Sequence, residues 1–131
     1  MKKIFILLFS SLLSVVAFAA EPYVVYCALS GASYSQIDYG QSTLVKNTLV
    51  DESGKAIYFR TSIGAMNYMS ERGWRYVGDR RYISQDMWDK SDIDVTTTLI
   101  FVKEATSSEE IIEGITTRLM YQERLSGAKE W

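Results

Sequence analysis

The chain of 131 residues contains no histidine and only one cysteine. Without histidine, it lacks the general base of Ser-His-Asp and Cys-His enzymes and the commonest metal ligand in proteins. One cysteine cannot form an internal disulfide or supply the ligand set of a structural zinc site. The sequence also contains no G-x-G-x-x-G motif and no P-loop. We therefore predict no catalytic triad, no metal site and no bound cofactor.

The single cysteine, Cys27, lies in the apolar stretch YVVYCAL. Such surroundings are typical of a buried, inert thiol, and the alternative is a disulfide between two chains. No lipobox surrounds Cys27, so lipidation is not expected.

The N-terminal residues have the pattern of a secretory signal peptide. Lys2 and Lys3 precede an apolar run over residues 4–18, which closes on the small-residue pattern of Ala17-Phe18-Ala19. The run is shorter than the ~20 residues of a spanning helix, and serines dilute it. We expect cleavage after residue 19 and export to the periplasm or the exterior, with no membrane insertion of the mature chain.

The charge balance argues against a nucleic-acid partner. The formal net charge is −2, from 14 basic and 16 acidic residues. Loss of Lys2 and Lys3 leaves 12 basic residues, so the mature chain carries about −4. Nucleic-acid binding requires a basic face, which this composition does not provide.

Several segments have the composition of β-strands. Residues 22–29, 55–59, 74–83 and 95–105 are rich in β-branched and aromatic residues. A short strand is also expected within residues 34–39, and residues 43–50 form either a strand or an irregular crossing. Both faces of residues 95–105 are apolar, which predicts a central strand or one covered on both sides.

A helix is predicted between residues 55–59 and 74–83. Ser62 is the candidate N-cap, and Met66 and Met69 lie on one apolar face. Gly73 follows the last helical residue, where a left-handed conformation can satisfy the final carbonyl groups. Trp74 then opens a strand, and we expect its ring to fold back on Met66 or Met69. These residues are interpreted as structural, in preference to a ligand site.

A second helix is predicted near the C-terminus. Ser107 and Glu110 have the spacing of a capping box. One apolar stripe follows, formed by Ile111, Ile112, Ile115 and Leu119. Gly114 interrupts it and weakens the helix by about 1 kcal/mol relative to alanine.

These elements predict a single small α+β domain. Its sheet would be mostly antiparallel with about four strands, packed against the central helix. The predicted boundaries are residues 1–19 for the signal peptide, 20–106 for the core and 107–131 for the C-terminal helix and tail.

An acidic loop over residues 84–94 suggests calcium, but its spacing does not fit. The acidic side chains are Asp86, Asp89, Asp92 and Asp94. Counting from Asp89 or from Asp92, the loop lacks the glycine that an EF-hand has at its sixth position. A solvated acidic loop is the better interpretation. A carboxylate-dependent hydrolase remains an alternative function, although no pattern selects a catalytic pair.

Aromatic residues give the more informative functional signal. Nine tyrosines and three tryptophans in a small exported chain could stack on sugars or fill a protein interface. Trp88 is the first candidate because it lies among charges in a loop, and Tyr34 and Tyr39 are further candidates. The leading hypothesis is a non-catalytic binding or interaction module of the cell envelope with an unknown protein or glycan partner. A structural envelope component is a third alternative.

Five short motifs occur in a fixed order along the chain. They are Val25-Tyr26-Cys27, Asp38-Tyr39-Gly40-Gln41, Asp51-Glu52-Ser53-Gly54-Lys55, Ala65-Met66-Asn67-Tyr68-Met69 and Gly73-Trp74. This order resembles a group of small exported bacterial proteins of unknown function. Together with the later Leu99-Ile100-Phe101-x-Lys103, the Gly-Trp pattern is also similar to a widespread bacterial domain of unknown function. The resemblance implies a fold and an exported location, and it brings no catalytic residues.

Overall fold

The computed structural model describes residues 20–85, 88 and 93–129. Four strands lie in the order β1 (Tyr23–Ser30), β2 (Gln36–Asp38), β3 (Arg75–Gln85) and β4 (Ile93–Ala105) along the chain. Helix α1 (Ser62–Glu71) separates β2 from β3, and α2 (Ser108–Ile111) and α3 (Arg118–Lys129) follow β4. The predicted α+β fold with a four-stranded antiparallel sheet is confirmed.

The sheet has the strand order β2-β1-β4-β3, and each pair is antiparallel. β4 is therefore central, as its two apolar faces predicted. Leu99 and Phe101 on one face are buried, whereas Ile100 and Val102 on the opposite face are half-buried. The core consequently lies on one side of the sheet.

The core joins the sheet to α1. Cys27 and Leu29 of β1 and Leu99 and Phe101 of β4 pack in one cluster with Ile37, Leu49, Ala65, Met69, Trp74 and Ile115. Met66 is half-buried against the same cluster. The expected burial of Trp74, in one cluster with Met69, is thus confirmed.

The corner between α1 and β3 has the predicted geometry. Gly73 has a φ of +86°, the left-handed conformation that ends helices with little steric cost. The backbone N–H of Trp74 then donates to the Met69 carbonyl oxygen over 3.0 Å. Only 2% of Trp74 is exposed, so Gly73-Trp74 is a folding corner of the domain.

Two local predictions near α1 are wrong, namely the N-cap of the helix and the strand over residues 55–59. The N-cap is Thr61, whose hydroxyl accepts from the backbone N–H of Gly64, and Ser62 is the first helical residue. Residues 55–59 do not form a strand. Ala56 makes only an isolated bridge to Val50, so this segment and residues 43–50 are irregular crossings.

The predicted C-terminal helix is interrupted. Gly114 has a φ of +76°, and α2 has already ended at Ile111. The capping box is also shifted, because Ser107 makes no side-chain capping bond. Instead, the Glu110 carboxylate accepts hydrogen bonds from the backbone N–H and the hydroxyl of Thr106. The chain restarts as α3 one turn later, after Thr117.

Candidate functional site

The strands β3 and β4 continue together beyond the end of β1. β1 pairs with β4 only as far as Leu29, which lies opposite Leu99. β3 and β4 remain paired from there to Gln85 opposite Ile93. We call residues 80–85 and 93–98 the hairpin arm. It is a two-stranded extension of a four-stranded sheet.

The hairpin arm exposes apolar side chains. Ile83 and Val95 lie directly opposite each other and are 72% and 54% exposed. Tyr82, on the other face of the arm, is also exposed. Single exposed apolar residues are common on protein surfaces, whereas contiguous apolar patches often mark interaction sites, so the pair of Ile83 and Val95 makes this face a candidate. A two-stranded hairpin is also only marginally stable alone, so a partner would stabilise this one.

Trp88 lies in the connection between the two strands of the arm. It is 94% exposed, whereas Trp74 is almost completely buried. The predicted difference between the two tryptophans is confirmed. The predicted acidic loop is shorter than residues 84–94, because Ser84 and Asp94 pair as residues of β3 and β4. Asp86, Asp89 and Asp92 lie outside the described residues.

Tyr34 and Tyr39 occupy separate places, and both are half-buried against the core. Tyr34 lines a cleft of about 380 Å³ at the base of the arm together with Val95, Thr96 and Thr97. Tyr39 lines another cavity, of about 150 Å³, beside α3, where burial and then Glu123 raise its pKa. The structure therefore brings Tyr34 to the arm and separates Tyr39 from it.

Charged residues mark the start of the arm on β3. The Arg81 Nε atom lies 3.3 Å from Oδ2 of Asp79, and the Tyr76 hydroxyl donates to Oδ1 of the same carboxylate. The pairing of β3 with β4 also has an irregularity between Tyr76 and Gly78. Charges and bulges of this kind are common on strands at a sheet edge, where they limit unspecific pairing.

Another cleft lies apart from the arm, and its walls are held by structural contacts. It has a volume of about 520 Å³ and is lined by Tyr68, Arg72 and Asp51, among others. The Arg72 side chain donates to the Gly114 and Tyr68 carbonyl oxygens. The Asp51 carboxylate accepts from the backbone N–H groups of Ser53 and Lys55 within its own turn. These groups stabilise the cleft walls and are already satisfied without a ligand.

The titratable groups of the described residues do not form a recognisable catalytic set. Hydrogen bonds, first from Ser53, lower the pKa of Asp51, and hydrogen bonds from Thr106 lower that of Glu110. A general acid requires the opposite shift. Burial raises the pKa of the Cys27 thiol to about 12, which keeps it protonated and unreactive. Within the described residues, no group of three or more His, Cys, Asp or Glu could hold a metal ion.

Comparison with known proteins adds no assignment. No protein-family model, curated protein or solved structure matches the chain. The resemblance to small exported bacterial proteins therefore stays a prediction. Among the helices of the described residues, none is long and apolar enough to cross a membrane.

Proposed function

We propose that this protein is an exported, non-catalytic interaction module, which binds a protein partner through the hairpin arm. The observation that carries the proposal is the exposed cross-strand pair of Ile83 and Val95. It lies where β3 and β4 extend beyond the end of β1. Burying such a pair under a partner would contribute the favourable free energy of apolar burial.

The neighbouring groups support the same surface. The cleft beside Tyr34 opens next to Val95, so a partner on this face of the arm has a recess in which to place a side chain. Tyr82 and Trp88 add large aromatic surfaces, which are enriched at protein interfaces. The N-terminal signal pattern supports a partner in the cell envelope or at the exterior.

A carboxylate-dependent hydrolase is less well supported. Such an enzyme needs one carboxyl group with a raised pKa to protonate the leaving group. The shifted carboxyl groups of the described residues, Asp51 and Glu110, have lowered pKa values.

The test compares two surface variants in a cross-linking experiment with the intact cell envelope. The arm variant carries Ile83→Ser and Val95→Ser, and the control carries Leu44→Ser, which is as exposed as Val95 at 54%. We expect the arm variant to lose the cross-linked partner that the unchanged protein and the control retain. Circular dichroism should show that both variants keep the fold.

Two results would contradict the proposal. One is retention of the partner by the arm variant, and the other is equal loss in the Leu44→Ser control. A glycan array, run in parallel with the same variants, tests whether the partner is a carbohydrate instead of a protein. Glycan binding that depends on Ile83 and Val95 would replace the protein partner by a carbohydrate.

A further inference from the structure

We infer that the partner of the hairpin arm is a second copy of this chain, bound by antiparallel pairing of the outer edges of β3. The inference rests on the proposed function, since it uses the same arm and assigns its partner. It makes β3 the centre of a continuous sheet across two molecules.

The outer edge of β3 is available for such pairing. β3 is the last strand of the sheet order, and among the described residues it pairs only with β4. A strand edge carries a row of N–H and C=O groups that another extended strand can satisfy. Two identical chains can do this around a twofold axis, because the same surface then faces itself.

A twofold axis through the sheet restricts the register. Two antiparallel copies of β3 keep their side chains on matching faces only when a residue lies opposite itself at the axis. With Arg80 at the axis, Asp79 lies opposite Arg81 of the second copy, and the symmetry repeats this pair. With Asp79 or Arg81 at the axis, like charges meet and the opposite charges do not. Among these three positions, the charge pattern therefore selects Arg80.

The remaining positions fit this register. Gly78 would lie opposite Tyr82 of the second copy, and no atom lies within 4 Å of the position of a Cβ on Gly78. An aromatic ring can cover the exposed backbone of a glycine across a strand pair. The pairing of β3 with β4 is irregular between Tyr76 and Gly78, so the register is counted only as far as Gly78. Charged and aromatic pairs thus coincide in one register.

The register also has a cost, because Arg80 meets its own copy at the axis. Like charges directly opposite destabilise a strand pair, so two favourable charge pairs act against one unfavourable pair. The regular pairing spans few residues. We therefore expect a weak dimer with a dissociation constant between roughly 1 μM and 1 mM, which forms at the high local concentration of a confined compartment.

Disulfide cross-linking tests the register directly. Opposed residues of antiparallel strands have Cα atoms about 4.5–5.5 Å apart, within the range that a disulfide spans. We expect Arg80→Cys to give a covalent dimer under mild oxidation. Arg75→Cys is the matched control on the same strand, because two copies of residue 75 would lie about 30 Å apart in this register. The native Cys27 is buried and contributes little background.

A charge exchange tests the recognition without a cross-link. By analytical ultracentrifugation, Asp79→Arg and Arg81→Asp should each raise the dimer dissociation constant about tenfold, since two like-charge pairs replace two opposite ones. The double variant Asp79→Arg/Arg81→Asp should return it to near the original value. Thermal melts of each variant provide the measure of folding.

The outcomes separate this inference from the proposed function. A protein that stays monomeric at 1 mM, or that cross-links equally well through Arg75→Cys, overturns the inference. If envelope cross-linking then still depends on Ile83 and Val95, the proposed function stands with a different partner. Restoration of the dimer by the double variant supports the β3 pairing.

Discussion

The Arg72 side chain ties the end of α1 to the turn that precedes α3. Its Nε donates a hydrogen bond to the Gly114 carbonyl oxygen over 2.7 Å, and a terminal guanidinium nitrogen donates to the Tyr68 carbonyl oxygen over 2.9 Å. The guanidinium carbon also lies 3.4 Å from the centroid of the Tyr68 ring. One cation thus satisfies a helix carbonyl, stacks on an aromatic ring and fixes a distant turn.

Arg72→Lys should lower the free energy of unfolding by about 1–2 kcal/mol, because lysine cannot hold two fixed donors and stack at the same time. Chemical denaturation measures the change. Glu71→Gln is the control: the Glu71 carboxylate lies 3.8 Å from Arg72 but is largely exposed, so its removal should change little. An equal effect of both substitutions would contradict the structural role of Arg72.

Gly73→Ala should cost about 1 kcal/mol or more of unfolding free energy. The left-handed φ is unfavourable for alanine, and the new Cβ would lie 3.4 Å from Cε of Lys103. Gly127→Ala is the matched control, because this glycine lies in α3 without a positive φ and with no atom within 4 Å of a Cβ. Urea titrations of the two variants should therefore diverge; similar curves would be inconsistent with this role of Gly73.

The two described tryptophans should respond differently to truncation. Trp74→Ala removes a buried ring from the core and should cost roughly 3–5 kcal/mol. Trp88→Ala should change stability by less than about 0.5 kcal/mol and weaken binding of the partner. Thermal melts and the envelope cross-linking assay measure the two effects. A large loss of stability in Trp88→Ala would show that its ring supports the fold.

Alkaline pH should destabilise the fold through Cys27. Burial and then Asp38 raise the pKa of this thiol from 9.0 to about 12. In the unfolded chain the thiol loses its proton near pH 9, so the stability contribution is complete below pH 9 and is lost as the pH rises to 12. The stability difference between the natural protein and Cys27→Ala should shrink by about 1 kcal/mol from pH 8 to pH 10. A constant difference would contradict the raised pKa.

The mature N-terminus should be Ala20 or Glu21. This follows from Lys2, Lys3 and the small residues at positions 17–19. Mass spectrometry of the protein from the envelope fraction measures it. Ala17→Asp and Ala19→Asp should block cleavage, and an intact Met1 on the unchanged envelope protein would refute the signal-peptide prediction.

Local chemistry made part of this fold predictable. A glycine after an amphipathic helix predicts a left-handed stop, and Gly73 has that conformation. The motif from Asp51 to Gly54 likewise forms a turn, in which the Asp51 carboxylate accepts backbone hydrogen bonds and Gly54 has a positive φ. Such motifs depend on neighbours within a few residues, which the sequence displays directly.

Features that depend on distant contacts were mispredicted or missed. The chain leaves the helical path after Ile111, and the carbonyl oxygen of Gly114 accepts a hydrogen bond from the Arg72 side chain, 42 positions earlier. Residues 55–59 have the composition of a strand but meet only one bridge partner. The hairpin arm was also missed, because its identity depends on where β1 ends. Two features could have indicated the arm. Strands β3 and β4 are longer than β1, and the apolar residues Ile83 and Val95 lie in the part that extends beyond it.

Leu29 and Leu99 form the last residue pair between β1 and β4, and they divide the sheet into a four-stranded part and a two-stranded part. We expect the two parts to unfold with different free energies. Beyond this pair, within the part of the chain that the structure describes, the backbone of β4 is bonded only to β3. We therefore expect the far end of this strand pair to open while the buried cluster around Phe101 stays closed. Substitutions at that end would then leave global unfolding almost unaffected. The recognition that we propose for the arm can therefore diversify on an unchanged scaffold, much as loops do on other frameworks.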